Sequence, residues 1–236
     1  MIGLKDARLL VIAPHPDDEV LGCAGLIHRI KAAGGKVFVL FLTLGTTADY
    51  SPQGISTSQT RNKEIKEVMK YLRIDDFEIA FPGNKYHLKL DQLPVFDLIE
   101  TIEKKSKVSI ANASPTILAT SQVSDYNQDH STVAKASVAA TRPAPHDLKP
   151  FLPLVLSYEF AANSWNMLNS PPPNFYVSLS KEDLKAKIKA MQIYKSQIRR
   201  GFHTRSAKTI ESLAKLRGAQ VGCYAAEAFY CYRFFI

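Results

Sequence analysis

The feature that most constrains this chain is an apolar run that stops abruptly at one histidine and three acids. Residues 9–13, LLVIA, form the kind of continuous apolar run found in strands that are covered on both faces. The segment PHPDDE follows at 14–19, and apolar residues then recur at helical spacing from 20 to 33, up to the glycine pair at 34–35. A strand, a polar turn and a helix in this order predict the first unit of a parallel α/β sheet.

The same alternation continues along the chain. Continuous apolar runs predict strands at 36–44, 77–81, 116–121 and 154–160. Helical spacing predicts helices over 58–72, 93–105, 131–142, 181–199 and 209–217. We therefore predict an α/β fold, a Rossmann-like three-layer sandwich with a mostly parallel sheet. We expect a single domain over 1–236, with a core at 1–143 and, after a change to proline-rich loops, a C-terminal α/β elaboration at 144–236.

The composition is that of an ordinary folded protein with a basic excess. Of the 236 residues, 46% are hydrophobic and 22% charged, and the formal net charge is +8. The basic residues are mixed with acids in helical segments such as KEIKEVMK, residues 63–70, and are not interleaved with aromatic residues as in a nucleic-acid stacking surface. We therefore expect no nucleic-acid partner, while an anionic small substrate stays open.

Cysteine usage and the first residues favour a cytoplasmic protein. The three cysteines, Cys23, Cys223 and Cys231, are widely spaced and form no CxxC pair, which predicts neither a disulfide framework nor a cysteine zinc site. The apolar run at 9–13 is too short for a signal peptide or a membrane-spanning helix. We expect no membrane span, and assembly into a homo-oligomer is left open.

The three acids at 17–19 have two interpretations. They could cap the helix that follows and complement its dipole, which stabilises a helix by about 0.5–2 kcal/mol. One acid is enough for that purpose, whereas three adjacent carboxylates beside His15 repel one another unless a divalent cation binds them. On this stretch alone, capping and metal binding are equally favoured.

A second polar segment shifts the balance towards a metal. The segment SDYNQDHSTV follows the predicted strand 116–121 and contains Asp125, Asp129 and His130. If the two parallel strands are neighbours, His130 lies at the same edge of the sheet as His15 and Asp18. Two histidines and one aspartate, with a fourth position left to water, are typical of a catalytic zinc site.

These motifs resemble a known family. The loop APHPDDE with a later NQDH is similar to the signature of the PIG-L/LmbE family of zinc-dependent N-deacetylases, and weaker similarities such as TRNKEIKEVMKYL, LSYEFAANSWN and YAAEAF extend over nearly the whole chain. The resemblance implies that His15, Asp18 and His130 bind the metal, Zn²⁺ or another divalent ion, and that Asp17 is the general base. It also suggests that Asp129, beside His130, either supports a metal ligand from behind or acts as an electrostatic group.

The chain departs from the family pattern at Asn127. Many members have a histidine three residues before the distal ligand, where the resemblance implies a role in stabilising the oxyanion or protonating the leaving group. An amide donates a hydrogen bond but supplies no proton, so the acid role needs another residue. His203, in the segment RRGFHTRSAKTIE, is a candidate replacement, from this chain or a neighbouring subunit, and an exposed loop histidine is the equally weighted alternative.

Several residues are candidates for substrate binding. Arg61 and Arg205 could bind hydroxyl or phosphate groups, although a helix-surface arginine paired with Glu64 is the stronger interpretation for Arg61. The polar loop within 42–59 is long enough to form a substrate lid. Three aromatic residues could stack on a sugar face or belong to the core: Tyr158, Phe160 and Trp165.

Together these observations predict a zinc hydrolase that removes an N-acyl group, most simply acetyl, from an amino sugar or sugar conjugate. The alternatives are hydrolysis of another amide bond and a metal-binding or sugar-binding protein whose catalysis was lost with the change to Asn127. A dinucleotide-binding oxidoreductase is the rival enzyme class for this fold. No GxGxxG motif is present, and acids occupy the turn where a pyrophosphate would bind.

Overall fold

The computed structural model describes residues 3–48, 54–145, 147–163 and 172–235. The strands are β1 (Arg8–Ala13), β2 (Lys36–Leu44), β3 (Thr47–Ala48), β4 (Ile55–Ser56), β5 (Asp76–Pro82), β6 (Ile117–Thr120), β7 (Leu154–Tyr158), β8 (Phe175–Leu179) and β9 (Ala225–Phe234). The α-helices are α1 (Asp18–Ala32), α2 (Ser58–Tyr71), α3 (Val95–Glu100), α4 (Ile110–Ala113), α5 (Gln128–Ala140), α6 (Lys181–Ile193) and α7 (Ala207–Gln220). None of the helices in these ranges is both long enough and apolar enough to cross a bilayer.

Seven of the strands form one central sheet, in the order β5-β2-β1-β6-β7-β9-β8. The first five strands of that order run parallel, and β9 pairs antiparallel with both β7 and β8. The part of the chain after residue 143 therefore adds three strands to the same sheet. The remaining strands, β3 and β4, form a short antiparallel ribbon within the loop predicted as a lid, and residues 49–53 of that loop lie outside the described residues.

Helices cover both faces of the sheet because side chains of a strand point alternately to its two faces. In β1, Leu9 and Val11 pack into the core on one face, together with residues of α1, α2, α6 and α7. Leu10 and Ile12 pack into the core on the other face, with residues of α3 and α5. This arrangement confirms the predicted α/β architecture with a mostly parallel sheet between two helical layers.

Predicted and observed helix bounds differ, most informatively in three helices. The helix predicted at 93–105 becomes α3 followed by a π-helical turn, Thr101–Lys105. Helix α5 begins at Gln128 because the Asn127 side chain accepts a hydrogen bond from Asp129 N and caps it, so the residues up to His130 belong to its first turn. Helix α6 ends at Ile193, well before residue 199. The next residue, Tyr194, is fully buried and leaves the helical conformation, and its hydroxyl donates to Glu19.

A buried ion pair ties α1 to the C-terminal part of the chain. Lys187 of α6 and Glu227 of β9 are about 5% exposed, and Lys187 Nζ lies 2.6 Å from Glu227 Oε1. The Glu227 carboxylate also accepts from Gly25 N and Leu26 N of α1, while Lys187 donates to Leu21 O. Both charges are therefore compensated inside the protein, as buried charges must be.

We expect Glu227→Ala to lower the free energy of unfolding by about 3–5 kcal/mol, because it leaves the Lys187 ammonium buried without its carboxylate. Urea denaturation followed by circular dichroism measures the effect. The matched control is Glu211→Ala, which removes the exposed Glu211–Lys215 pair and is expected to cost less than about 1 kcal/mol. Equal losses in the two variants would contradict the structural role assigned to the buried pair.

Candidate functional site

The site lies where the order of the sheet reverses. Strand β1 pairs with β2 on one side and with β6 on the other. The chain runs from β1 outwards through β2 to β5 and then returns to β6, so the connections after β1 and β6 leave in opposite directions and open a crevice at the carboxyl ends of the strands. The segments 14–19 and 121–130 meet in this crevice, as the sequence predicts for neighbouring parallel strands.

Three side chains converge at this crevice, and they are the predicted metal ligands. His15, Asp18 and His130 are buried, and one donor atom from each lies within 4.8 Å of the others. His15 Nδ1 is 3.3 Å from His130 Nε2, and Asp18 Oδ2 is 3.3 Å from His130 Nε2 and 3.6 Å from His15 Nδ1. The site thus has two half-sites, one with His15 and Asp18 and the other with His130. They are more than 110 residues apart in sequence and form one cluster.

The spacing of these donor atoms fits a zinc ion. Zinc binds imidazole nitrogen and carboxylate oxygen at about 2.0–2.2 Å in tetrahedral geometry, which places neighbouring ligand atoms roughly 3.3–3.6 Å apart. The carboxylates around the cluster also favour positive charge on it, either as a proton or as a bound cation. Burial disfavours a proton on His130, yet the carboxylates of Asp18 and Asp125 outweigh it and raise the pKa of His130 to about 10. Burial likewise disfavours the carboxylate form of Asp18, but the charges and hydrogen bonds of His130 and His15 hold its pKa well below the usual range.

Each histidine of the cluster is held from behind by a carboxylate. His130 Nδ1 lies 2.8 Å from Asp125 Oδ2, and His15 Nε2 lies 2.8 Å from Asp129 Oδ2. Asp129 was expected as a supporting or electrostatic group beside His130. It does contact a histidine of the cluster, but that histidine is His15, because α5 begins early enough to turn Asp129 towards it, and the other Asp129 oxygen accepts from Leu90 N. Such contacts orient a ligating imidazole and leave its other nitrogen free for the metal.

We expect Asp129→Asn to weaken zinc affinity by about 10- to 100-fold, because an amide binds the His15 ring less firmly than a carboxylate. Competition for zinc against a chromophoric chelator measures the change. Asp91→Asn, at an exposed position just after the Leu90 contact, is the matched control and should leave the affinity unchanged. An Asp129→Asn affinity equal to that of the wild type would mean that Asp129 does not orient a metal ligand.

Asp17 stands at the N-terminal end of α1 without capping it. Its φ is 100°, in the left-handed region, and its side chain makes no capping hydrogen bond. The carboxylate instead faces the crevice, where Asp17 Oδ2 lies 3.2 Å from Arg205 Nη1. Burial raises the pKa of Asp17, and the charge of Arg205 opposes that shift. The capping interpretation therefore does not describe this acid, because its side chain makes no hydrogen bond to the first turn of α1.

The third acid of the motif, Glu19, points away from the crevice. Its carboxyl group is fully buried, accepts from the Tyr194 hydroxyl at 2.7 Å, and accepts from Asp17 N at 3.1 Å. Burial raises the pKa of Glu19 to about 8. This contact holds the backbone of Asp17 in a conformation that costs about 1–3 kcal/mol for a residue other than glycine.

A cavity of about 350 Å³ opens over the cluster, and the predicted residues of the later segments line it. Asn127 lies at its edge, with the amide oxygen engaged as the cap of α5. His203 and Arg205 belong to the loop between α6 and α7 of the same chain, and His203 Nδ1 accepts from Arg205 N at 3.0 Å. Burial and the neighbouring Arg205 and Arg199 lower the pKa of His203.

Arg61 also lines the cavity, and the expected surface pair with Glu64 is wrong. Arg61 is only 4% exposed, and the Glu64 carboxylate accepts instead from Ser196 N and Oγ. Helix α2 turns Arg61 inwards, since 61 lies on the same helical stripe as the buried residues Ile65 and Val68. Burial lowers the pKa of Arg61, and the carboxylates of Asp17 and Asp18 oppose the shift.

His87 is a site residue that sequence reasoning missed. It is 5% exposed, lines the cavity, and packs edge-on against the His15 ring with the centroids 5.7 Å apart. Burial and the nearby Arg61 lower its pKa to about 4. Gly45 makes room for it, because a Cβ there would lie 2.5 Å from the His87 ring. The segment GNKYHL, which follows β5, carries no local signal beyond being another loop at a carboxyl strand end.

The aromatic candidates separate into core and site. Tyr158 is fully buried and its hydroxyl donates to Ile12 O, so it belongs to the core. Phe160 packs edge-on against the His130 ring, with the centroids 6.0 Å apart, and lines the cavity. Trp165 lies outside the described residues.

Known proteins resemble this chain in sequence and in fold. A family model described as PIG-L, GlcNAc-PI de-N-acetylase, matches residues 10–141. The chain is 25% identical over 194 residues to the Escherichia coli (strain K12) protein named uncharacterized deacetylase YaiS, covering 81% of this chain and 92% of that protein. A conserved protein of Thermus thermophilus superposes with a TM-score of 0.73 at 26% identity, covering 98% of this chain and 96% of that one. N,N'-diacetylchitobiose deacetylase from Pyrococcus horikoshii, at 18% identity and a TM-score of 0.70, covers 97% and 85% and shares the fold.

Proposed function

The chain belongs to the PIG-L de-N-acetylase family, whose model matches more than half of its length, and from this premise we propose that it is a zinc-dependent hydrolase of N-acylated amino sugars. The bond cleaved is the amide of an N-acyl group, most simply N-acetyl, on an amino sugar or sugar conjugate. The Pyrococcus horikoshii neighbour, named for N,N'-diacetylchitobiose, supports this substrate class. Hydrolysis of another amide bond is the nearest alternative.

One observation carries the proposal: the three converging donor atoms lie beside the Asp17 carboxylate, which does not cap helix α1. His15, Asp18 and His130 would hold the cation, and Asp17 faces the same cavity. When bound, a zinc ion at these ligands supplies Lewis acidity and brings the pKa of water close to neutrality. Other divalent ions suit the same donors, and zinc is proposed because of the tetrahedral spacing.

Asp17 acts as the proton carrier in this proposal. Its carboxylate accepts a proton from the attacking water as the water oxygen bonds to the amide carbon. It then delivers that proton to the nitrogen as the carbon–nitrogen bond breaks, so the products are a carboxylic acid and the free amino sugar. Arg205, at 3.2 Å, steadies the carboxylate and sets its direction.

Two neutral donors face the carbonyl oxygen, on which negative charge develops. Asn127 Oδ1 is engaged as the helix cap, so its Nδ2 is the group that remains to donate. His203 Nδ1 accepts a backbone hydrogen bond, so a neutral His203 carries its proton on Nε2 and donates from there. Because its pKa is lowered, we assign His203 as a hydrogen-bond donor rather than as the source of the proton. The role needs no neighbouring subunit, since His203 lines the cavity of its own chain.

We expect His203→Ala to lower kcat by about 10- to 100-fold with unchanged zinc content, because one oxyanion donor is lost. His203→Gln, which keeps a donor, should recover part of the rate. Steady-state kinetics on the zinc-loaded variants measures both effects, and His28→Ala, on α1 away from the cavity, is the matched control. A kcat unchanged in His203→Ala would make His203 an ordinary loop histidine.

The proposed function is tested with the zinc-loaded protein and a panel of N-acetylated hexosamines, free, phosphorylated and nucleotide-linked. We expect acetate and a primary amine to appear in equal amounts from at least one member. Acetate release from non-sugar amides alone would replace this proposal by the alternative. Zinc binding and sugar binding without any acetate release would identify a catalytically impaired binding protein.

A further inference from the structure

Residues 194–197, with the sequence YKSQ, follow helix α6 and reach the proposed general base from two sides. The chain turns sharply there, with Gln197 N donating to Tyr194 O at 2.9 Å. Tyr194 is fully buried, and Gln197 is buried at the wall of the cavity. Each of the two side chains connects to Asp17 through one other residue.

The first connection acts on the backbone of Asp17. The Tyr194 hydroxyl donates to Glu19 Oε1 at 2.7 Å, and Glu19 Oε2 accepts from Asp17 N at 3.1 Å. One carboxyl group therefore links the tyrosine to the peptide group of the base. Since Glu19 and Tyr194 are both fully buried, this contact is shielded from solvent.

The second connection acts on the carboxylate of Asp17. Arg205 Nη1 lies 3.2 Å from Asp17 Oδ2 and donates to Gln197 Oε1 at 2.7 Å. Because arginine can only donate, the Gln197 amide must turn its oxygen towards Arg205 and its nitrogen the other way. Gln197 Nε2 accordingly donates to Ser196 Oγ at 3.0 Å, and Ser196 Oγ donates to Glu64 Oε2 at 2.6 Å. The amide is thus fixed at both ends.

Asp17 needs such support because its position in the chain favours a different arrangement. Aspartate is one of the best N-cap residues, and an N-cap residue normally has an extended backbone and accepts from the N–H groups of the first helical turn. Asp17 directly precedes α1, yet its φ is 100° and its side chain makes no capping bond. Without other contacts we expect it to adopt the ordinary cap, in which α1 engages the carboxylate and removes it from the cavity.

We propose that Tyr194 and Gln197 are positioning residues for the proposed general base, Asp17. Tyr194 holds the backbone of Asp17 through Glu19. Gln197 holds its carboxylate through Arg205. The inference rests on the proposed function for the role of Asp17, and it adds the two residues that keep this carboxylate out of the capping arrangement.

The first test removes one contact at a time from the zinc-loaded enzyme. Gln197→Met keeps nearly the size of the side chain but offers Arg205 no amide oxygen, and Tyr194→Phe removes only the hydroxyl. We expect each variant to lower kcat by about 10- to 100-fold, since a displacement of about 1 Å at a reacting group has an effect of this size. KM and zinc content should stay at their wild-type values, because the loss concerns the transition state.

Two control variants make the same chemical changes away from the cavity. Gln220→Met removes an exposed amide that also accepts from an arginine, Arg217. Tyr176→Phe removes a hydroxyl that donates to Pro173 O. Both controls should keep the wild-type kcat. A wild-type kcat in Gln197→Met or in Tyr194→Phe would overturn the role assigned to that residue.

A double-mutant cycle separates positioning from a general structural loss. In the Asp17→Asn background there is no base to position, so Gln197→Met and Tyr194→Phe should each leave the residual rate unchanged within about twofold. A merely structural contribution would lower the rate by the same factor in both backgrounds. Such additivity would overturn the proposal.

Crystal structures of the two single variants give a readout that needs no substrate. We expect the Asp17 carboxylate to leave its wild-type orientation and to accept from a backbone N–H of the first turn of α1. An Asp17 that keeps its orientation in both variants would overturn the proposal. The deacetylase proposal fails separately, if no acetylated sugar of the panel releases acetate. In that case the crystal structures still decide whether Tyr194 and Gln197 position Asp17.

Discussion

We expect Asp17→Asn to lower kcat by about 10²- to 10⁴-fold, the range that a positioned general base contributes. The amide has nearly the shape of the carboxylate but accepts no proton from water. Asparagine also tolerates the left-handed conformation of residue 17, where φ is 100°, so the turn between β1 and α1 is retained. Steady-state kinetics on the best acetylated sugar of the substrate panel measures the loss.

The zinc content of Asp17→Asn should equal that of the wild type, because the proposed ligands are His15, Asp18 and His130. Asp91→Asn makes the same chemical change at an exposed position and should keep full activity. A wild-type kcat in Asp17→Asn would remove Asp17 from the mechanism. Loss of zinc together with activity would instead make Asp17 a ligand.

The second large effect is expected at the metal itself. The wild-type protein should bind about one zinc ion per chain after equilibration with buffered zinc, and His130→Ala should bind almost none and lose its activity. The reason is geometric: His130 supplies the ligand from the strand β6 side, 3.3 Å from both His15 Nδ1 and Asp18 Oδ2. Without His130, only His15 and Asp18, which follow β1, remain as ligands. Metal analysis after gel filtration gives the stoichiometry.

His28→Ala is the control, since His28 pairs with Asp183 outside the cavity and should leave the stoichiometry at one. Chelation should abolish the wild-type activity, and added zinc should restore it. Equal zinc in His130→Ala and the wild type would mean that the two half-sites do not share an ion. A wild-type protein without stoichiometric metal would rule out the zinc mechanism.

The strand β1, the turn that follows it and the helix α1 could all be predicted from the sequence. Continuous apolar runs indicate which strands are covered on both faces. Polar residues at the ends of strands indicate where the sheet borders a solvent-accessible crevice. Because neighbouring parallel strands present their carboxyl ends at one edge, a pairing of β1 with β6 was enough to bring His15, Asp18 and His130 together. This cluster could be predicted from two short motifs and one assumption about strand order.

Other features of the site depend on which way a loop or helix turns. Asp129 was expected beside His130 but lies behind His15, because α5 begins at Gln128. Arg61 has the pattern of a surface arginine with a carboxylate three residues away, yet α2 packs so that it faces the cavity. His87 stands in a loop with no motif, yet it lines the cavity, packs against the His15 ring and contacts Arg61.

By itself, then, the sequence determined the α/β class, the two polar loops and the three converging donors. Only the tertiary structure decided which residues surround them: Arg205 pairs with Asp17, Asp129 contacts His15, and His87 contacts Arg61. The physical reason is that periodicity and strand ends are local properties, written within a dozen residues. The partner of a buried side chain is chosen by the packing of segments that lie far apart in sequence, and no local pattern records that choice.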